Sequence, residues 1–507
     1  MNKKFITTPI YYVNDSPHIG HAYTSVVCDV YARFFMLKNL EVIFLTGTDE
    51  HGQKVENAAK ENGIEPIDFV NSVSQNFIEL THHLNISNTD FIRTTEERHK
   101  KTVQIIWQKL LDNNEIYLDN YEGWYSIKDE SFYQEKELQK QKGEFLTKDG
   151  SKVEWLKEES YFFKLSKWEK KLLSFYNENT DFIQPKSRRN EVISFVKSGL
   201  KDLSISRTSF KWGIPVPNQS SGHIIYVWID ALTNYLSALN YYDNENSKKD
   251  FWNESVHVIG KDILKFHAVY WPALLMAVGL NPPKKIFAHG WWTNEGKKIS
   301  KSLNNSIDPK KIIDEYGLDQ FRFFILREIT LGQDGDFSEK SLLNRSNSDL
   351  SNSLGNLFQR TLKFLEKHFE SKMPLNIDKV DLTILNNGYY LLNPIEQNIE
   401  NFEYNKALEI IWKYIADLNQ FIDEQKPWST IKEDKKKTAE TLSVLMESLR
   451  LVGIILQPFI PGTAKRILDT LNIKENERSF EFFNKDFSLK EGISFKKVEQ
   501  LFPKLDE

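Results

Sequence analysis

The chain has 507 residues, of which 40% are hydrophobic and 27% charged, with 66 basic and 71 acidic side chains, a net charge of −5 and one cysteine. That length accommodates roughly two to four domains around a large core, and the composition is that of an ordinary soluble protein. One cysteine excludes an intrachain disulfide, the near-balanced charge offers no global basic field for nucleic acid, and neither a membrane-length apolar run nor a secretory signal pattern is present, so a cytoplasmic location without membrane contact is expected.

In chain order, residues 5–11 are apolar, β-branched and aromatic and predict a buried strand. Ala22, Val26, Val30, Phe34 and Leu37 recur near helical spacing, predicting an amphipathic helix over 20–38. Residues 41–45 predict a second strand, ending in Thr46-Gly47-Thr48-Asp49-Glu50-His51-Gly52. Strand, turn, helix, strand is a βαβ unit, which binds ligands at the carboxyl ends of its strands. The turn presents a helix N-terminus suited to phosphate. His18 and His21, three residues apart, share a face of the first helical turn, and Gly20 between them permits close approach. Local capping is the plain alternative for such a pair.

Residues 50–115 predict mostly helix, with Thr94 or Thr95 capping one of them. From residue 116 short aromatic strands and polar turns follow (Tyr117, Tyr121, Trp124, Tyr125, Phe132, Tyr133), with a hairpin-turn signal at 148–151; this predicts an inserted subdomain. Apolar strand character returns over 224–230. A lysine-rich loop opens at Gly296. Beyond Asp308-Pro309 the chain turns mainly helical: one or two helices over 309–330, a loop with a helix cap over 334–338, and a long helix over 347–367. On that helix Asn352, Asn356 and Arg360 fall on one face, and such side chains suit the unpaired bases and phosphates of RNA. Amphipathic patterns over 382–392, 404–421 and 438–455 predict a bundle, and the charged tract 432–437 a solvated turn.

Two motifs sharpen this. His18-Ile19-Gly20-His21 and Lys298-Ile299-Ser300-Lys301-Ser302, in that order, resemble the two ATP motifs of the class I aminoacyl-tRNA synthetases, with Ile299 where the second motif usually has Met. The stretches 227–235 and 260–267 narrow the resemblance to the methionyl-tRNA synthetases. The resemblance implies an α/β architecture: a Rossmann-like catalytic domain (1–115 and 224–325) split by a connective insertion (116–223), a stem-contact region (326–370) and an all-α anticodon-binding bundle (371–507). It implies activation of L-methionine by ATP to methionyl-adenylate and transfer to tRNA(Met). His18, His21, Lys298 and Lys301 would stabilise the reacting phosphates. Gly20, Gly260, Asp262, His289, Ile299, Ser300 and Ser302 would border ATP. Ile10, Tyr12, Trp228, Ala231, Leu232, Tyr235, Ile263 and His267 would surround the thioether side chain, with Asp49 accepting the ammonium group. One branch of the family has proline where Leu232 stands. Tyr12 and His267 are the candidates for a polar contact to sulfur. Asn352, Asn356, Arg360 and Trp428, the last following Pro427, would read the anticodon.

Many relatives carry zinc-binding C-x-x-C pairs in the insertion. Here Ser126 and Asp129 stand at such a place, and one cysteine cannot build a thiolate site; no zinc is expected, and aromatic packing must hold the insertion. Mg2+ is expected with ATP. The chain ends soon after the bundle, without the appended barrel of some relatives, so a monomer is expected. A synthetase for leucine, valine or cysteine would share the ATP motifs but differ around Trp228 and His267. A nucleotidyltransferase would not need the helical half, and a non-catalytic RNA-binding relative would have lost His18, His21 or Lys301.

Overall fold

The computed structural model describes residues 3–13, 16–127, 131–133, 135–141, 143–148, 150–217, 222–294, 296–298, 307–381 and 383–506. They fall into two compact units, residues 3–17 with 43–289, and residues 18–42 with 290–507.

The first unit is built on a seven-stranded sheet. Its strands are β1 (Lys3–Thr7), β2 (Tyr11–Tyr12), β3 (Glu41–Asp49), β4 (Asp90–Arg93), β5 (Ile183–Gln184), β6 (Ser255–Gly260) and β7 (Lys285–His289). The expected single strand over 5–11 is in fact two, because Pro9 has no N–H for the ladder; Thr8 N–H still reaches Leu45 O at 3.1 Å. β3 runs four residues past its predicted end, its polar residues Thr46, Thr48 and Asp49 being buried with the apolar ones. β4 escapes a pattern reading because only Ile92 of its four residues is buried.

Strand order is β5-β7-β6-β1-β3-β2, with β4 also paired to β3. β6 lies parallel to β1, Thr7 opposite His257, and β7 parallel to β6, Gly260 opposite His289. The chain therefore runs outward from β1 to β3 and β4, then returns to the other side of β1. The carboxyl ends of β1 and β6 flank the point where the order reverses, which is where open parallel sheets bind ligands.

Helix α2 (Glu97–Asp112) starts after Glu96 without a side-chain cap. The threonines expected to cap it are used elsewhere: Thr94 Oγ1 accepts the Glu50 N–H and Thr95 Oγ1 donates to Glu50 Oε2. Of the strand expected over 224–230, only Ile224–Ile225 is strand. Tyr226 is extended and the chain then enters helix α3 (Val227–Ala238), buried at all but one residue. Residues 224–229 are apolar throughout, and so short a run does not separate strand from helix; the polar residues that mark the helical period, Asp230, Thr233, Asn234 and Ser237, come only after it.

The insertion is a long antiparallel pair, Ile116–Ser126 with Glu154–Phe163, in register from Ile116 opposite Phe163 to Tyr125 opposite Glu154. Trp124 packs on Phe145 with ring centroids 4.5 Å apart and edge-on to Trp155 at 5.1 Å. At its base Phe163, Leu165 and Trp168 share one hydrophobic core with Phe5, Leu45, Ile92 and Trp107. Ser126 is buried on its strand, and Asp129 lies outside the described residues.

The second unit holds α1 (Ile19–Leu37), α4 (Leu318–Arg327), α5 (Tyr404–Gln425) and α6 (Lys435–Leu456). α1 is buried along most of its length. Tyr31 stacks on Phe402 at 5.5 Å, Phe34 meets Phe480 at 4.8 Å, and Tyr404 Oη donates to Val27 O at 3.1 Å. Where a loop was expected over 334–338, Gly335–Phe337 is a strand parallel to Trp292–Asn294, and Ser338 caps the helix that follows. The long helix is α-helical over Glu339–Arg345, π-helical over Ser346–Gly355 and α-helical again over Asn356–Phe369. Asp434 caps α6, so the second half of the 432–437 tract is helix rather than turn.

Inside this unit Asp29 of α1 meets Arg322 Nη2 of α4 at 2.6 Å, both fully buried, and Arg33 Nε at 2.8 Å. Arg322 also donates to the carbonyls of Phe459 and Pro458. Removing one partner from such a cluster leaves buried charge and carbonyls uncompensated. Arg322→Met is expected to lower stability by about 3 kcal/mol, read as a lower urea midpoint by circular dichroism.

Candidate active site

The predicted residues fall in both units, and each set has its own geometry. At the start of α1 the first backbone N–H groups have no acceptor within the helix. Two imidazoles supply one. His18 Nδ1 accepts the Gly20 N–H and His21 Nδ1 accepts the His18 N–H, each at 3.1 Å, with the rings stacked 3.9 Å apart. An Nδ1 that accepts carries no proton, so each ring is neutral with its proton on Nε2. Burial, then the neighbouring His18, holds the His21 pKa well below its ordinary value. A Cβ on residue 20 would sit 2.9 Å from the His18 ring, so glycine is needed for this cap. Capping and phosphate binding, which compete as readings of the sequence, are here compatible: Nδ1 caps and Nε2 carries the proton.

Lys297–Lys298 form a strand rather than a loop, antiparallel to Trp292–Asn294, with Thr293 opposite Lys298. The turn between them uses Gly296 at φ 74° and is tied down by its N–H to Asp336 Oδ1 at 2.8 Å. Ile299, Ser300, Lys301 and Ser302 lie outside the described residues. Ile307 O accepts the Ile19 N–H at 3.1 Å, tying residue 307 to the start of α1.

In the first unit, Ile10, Trp228, Leu232, Tyr235 and Ile263 pack on one core. Ala231 is buried beside them on α3. Trp228 stacks on Phe266 at 3.6 Å, and Tyr235 Oη lies 2.8 Å from His267 Nε2. His267 Nδ1 lies 3.0 Å from Ile263 O, which can only accept, so Nδ1 bears the proton and Nε2 accepts from Tyr235. Burial is the main cause that lowers the His267 pKa to about 4, outweighing the opposing effects of Ile263 and Asp262. His267 therefore spends both nitrogens within the protein, and a proton for sulfur from it requires these bonds to change. Tyr12 Oη likewise donates to His51 O at 3.1 Å. Tyr12 lies opposite Asp49 across β2 and β3. Asp49 does not cap the next helix, whose N-cap is Gly52.

Gly260 ends β6 and Asp262 follows it; a Cβ on Gly260 would come within 2.5 Å of Asp262 Oδ1, so the glycine makes room for that carboxylate. His289 ends β7 in register with Gly260 and is buried. Among the described residues no group of three His, Cys, Asp or Glu side chains could hold a metal.

In the second unit Asn352, Asn356 and Arg360 are all exposed. The Arg360 guanidinium lies 5.4 Å from the centre of the Trp428 ring and pairs with Asp423 at 2.7 Å. Trp428 is 43% exposed, unusual for so large an apolar ring.

Sequence reasoning missed a buried polar network among the residues predicted to form the pocket. Asp230 Oδ2 lies 2.7 Å from His51 Nδ1, and its Oδ1 lies 2.6 Å from His99 Nε2. Burial alone would raise the Asp230 pKa, but the two imidazoles outweigh it and hold it at about 2. Glu50, fully buried, is gripped by Arg93 at 2.6 and 3.0 Å and by Thr48 and Thr95. The available signal was a charged residue inside an apolar run, as at Asp230. Phe266 was also missed, though it adjoins His267.

Two family models match. The model described as tRNA synthetases class I (M) covers residues 4–362, and the anticodon binding domain of methionyl tRNA ligase covers 381–507. The chain is 54% identical to the methionine–tRNA ligase of Rickettsia conorii over the whole of both proteins. It is 47% identical to that of Brucella suis over 94% of this chain and 93% of that one. Among solved structures it resembles the Mycobacterium tuberculosis methionyl-tRNA synthetase in complex with methionyl-adenylate, at TM-score 0.95 and 42% identity, covering 99% of this chain and 100% of that one.

The buried imidazoles predict a pH dependence. His267 titrates at about 4 rather than 6.5, so as pH falls from 6.5 toward 4 the unfolded chain takes up a proton that the folded protein refuses. Stability fully present above pH 6.5 is lost through that window, by roughly 3 kcal/mol for this ring. Burial shifts His21 and His257 the same way. Urea midpoints are expected to fall between about pH 7.5 and about pH 4.5, and less steeply in His267→Gln.

Proposed function

The chain belongs to the class I tRNA synthetases of the methionyl type, and on that footing we propose that it is a methionine–tRNA ligase, joining methionine and ATP as methionyl-adenylate and transferring the methionyl group to the 3′-terminal adenosine of tRNA(Met). The observation that carries the reading is the histidine cap of α1, which aligns two neutral imidazoles with the positive end of a helix.

In the first step the methionine carboxylate attacks the α-phosphorus, the bond to the β-phosphate oxygen breaks, and pyrophosphate leaves. No covalent bond to the protein is needed; positioning and charge stabilisation suffice. His18 and His21 donate from Nε2 to the α-phosphate oxygens as charge builds there. Lys298 and Lys301, with Ile299, Ser300 and Ser302 around them, neutralise the leaving phosphates. Gly20, Gly260, Asp262 and His289 border the nucleotide, with Asp262 accepting from a ribose hydroxyl. Asp49 takes the ammonium group. Ile10, Tyr12, Trp228, Ala231, Leu232, Tyr235, Ile263 and His267 form the side-chain pocket, where a polarisable thioether gains from aromatic neighbours. Mg2+ would accompany the phosphates and offset part of their charge. In the second step a terminal ribose hydroxyl of the tRNA attacks the activated carbonyl and AMP leaves. Asn352, Asn356, Arg360 and Trp428 read the anticodon, the exposed indole offering a stacking surface. The reading takes the active form as a cytoplasmic monomer.

Amino-acid-dependent ATP–pyrophosphate exchange tests it. Each standard amino acid is supplied separately, and methionine alone is expected to support exchange. Exchange with a different amino acid would keep the reaction and refute the pocket. His21→Ala is expected to lower kcat for exchange by about 100- to 1,000-fold with little change in methionine KM. Trp428→Ala is expected to leave exchange intact and to raise the KM for tRNA about 5- to 150-fold in aminoacylation.

A further inference from the structure

The segment from Asp49 to Gly52 is gripped along its length. Thr94 Oγ1 accepts the Glu50 N–H, Trp212 Nε1 donates to Glu50 O at 2.6 Å, and the Gly52 N–H donates to Trp212 O at 3.1 Å. Tyr12 Oη donates to the carbonyl of His51. The ring of the same His51 reaches across to α3, where it meets Asp230. Asp230 is fully buried and its second oxygen is taken by His99 of α2, whose other nitrogen lies 3.0 Å from Ser237 Oγ. One carboxylate thus joins the end of β3, the start of α2 and the first turn of α3.

Its neighbours in sequence give this join a purpose. Asp230 stands between Trp228 and Ala231, and His51 stands two residues after Asp49. These are the groups assigned to the two ends of the amino acid. The proposed reaction uses neither Asp230 nor His51, and burying a charge on a helix is costly even when it is paired. A ligand with a charged end and an apolar end at a fixed covalent distance binds well only if both receptors are held at the matching separation.

We propose that Asp230 is a positioning residue for the amino-acid substrate: through His51 it sets the distance between Asp49, which receives the ammonium group, and the side-chain pocket at Trp228 and Ala231. The inference rests on the methionine reading above. Asp230 and His51 touch no substrate and act through the residues beside them. The imidazole contacts, rather than the charge itself, carry the effect. An Asn at this position can accept from His99 and donate to His51 once that ring changes tautomer.

The experiment uses full-length protein. Methionine and ATP KM values are measured in pyrophosphate exchange, and methionine Kd by calorimetry, for wild type, Asp230→Ala, Asp230→Asn, His51→Ala and the double alanine variant. Thermal unfolding is recorded in parallel. Asp230→Ala is expected to raise methionine KM and Kd at least about tenfold with ATP KM unchanged, and Asp230→Asn to recover most of the loss. The double variant should be no worse than either single one, since both cut one link. As an inhibitor of exchange, 4-(methylthio)butanoate, which lacks the ammonium group, should bind wild type and Asp230→Ala alike. An unmoved methionine KM, a parallel rise in ATP KM, or additive single effects would overturn the proposal. If Asp230→Ala does not fold, His51→Ala alone decides by the same split. Absence of methionine-dependent exchange in wild type would refute the functional reading instead, so the two failures are distinguishable.

Discussion

A helix cannot satisfy its own first N–H groups, and the start of α1 answers that demand with imidazoles. The usual capping side chains would hold the turn but bring no titratable donor. With His18 and His21 the cap itself selects the tautomer: Nδ1 is spent on backbone, so the proton must stand on Nε2. Burial and the neighbouring His18, stacked 3.9 Å away, hold the His21 pKa well below its ordinary value, which avoids placing two positive charges side by side. Local folding energy and the protonation state needed at the helix end are one and the same arrangement. Gly20 belongs to it as well, since a larger residue would displace the first ring.

The same economy governs the buried charges. Asp29 with Arg322, Glu50 with Arg93, and Asp230 with its two histidines each place a carboxylate out of water and meet it with several partners. Buried pairs of this kind add little net stability over apolar packing. What they supply is a fixed geometry: a slip of one residue in any partner leaves a charge without an acceptor, so alternative packings of these helices are disfavoured. That these clusters join elements distant in sequence is consistent with such a role.

Much of this was readable from the chain. The strand–turn–helix around His18 and His21, the inserted aromatic strands and the helical C-terminal half follow from periodicity and turn residues, and the two ATP motifs with the 227–235 and 260–267 stretches gave the family. What could not be read was set by tertiary contacts. The run 224–229 is apolar throughout and as short as a strand, and the polar residues Asp230, Thr233, Asn234 and Ser237 that mark the helix follow only after it. Thr94 and Thr95 look like caps, but their hydroxyls are claimed by Glu50, forty-odd residues earlier in sequence. β4 has one buried residue and owes its existence to the edge of β3. His267 could be nominated as a sulfur donor because its sequence does not disclose that Tyr235 and Ile263 already occupy both nitrogens.

The grouping of α1 with residues 290–507 bears on how this protein could be dissected. Although α1 lies in the first forty residues, its apolar flanks are covered by Phe402, Tyr404 and Phe480 of the C-terminal helices. A fragment cut after residue 306 would keep every motif residue near the N-terminus and yet strip the cover from the helix that carries two of them. The exposed stripe of Tyr31, Phe34 and their neighbours would then be a surface for self-association. A minimal catalytic fragment is therefore not obtained by truncation alone; it would require a redesigned, polar outer face on α1.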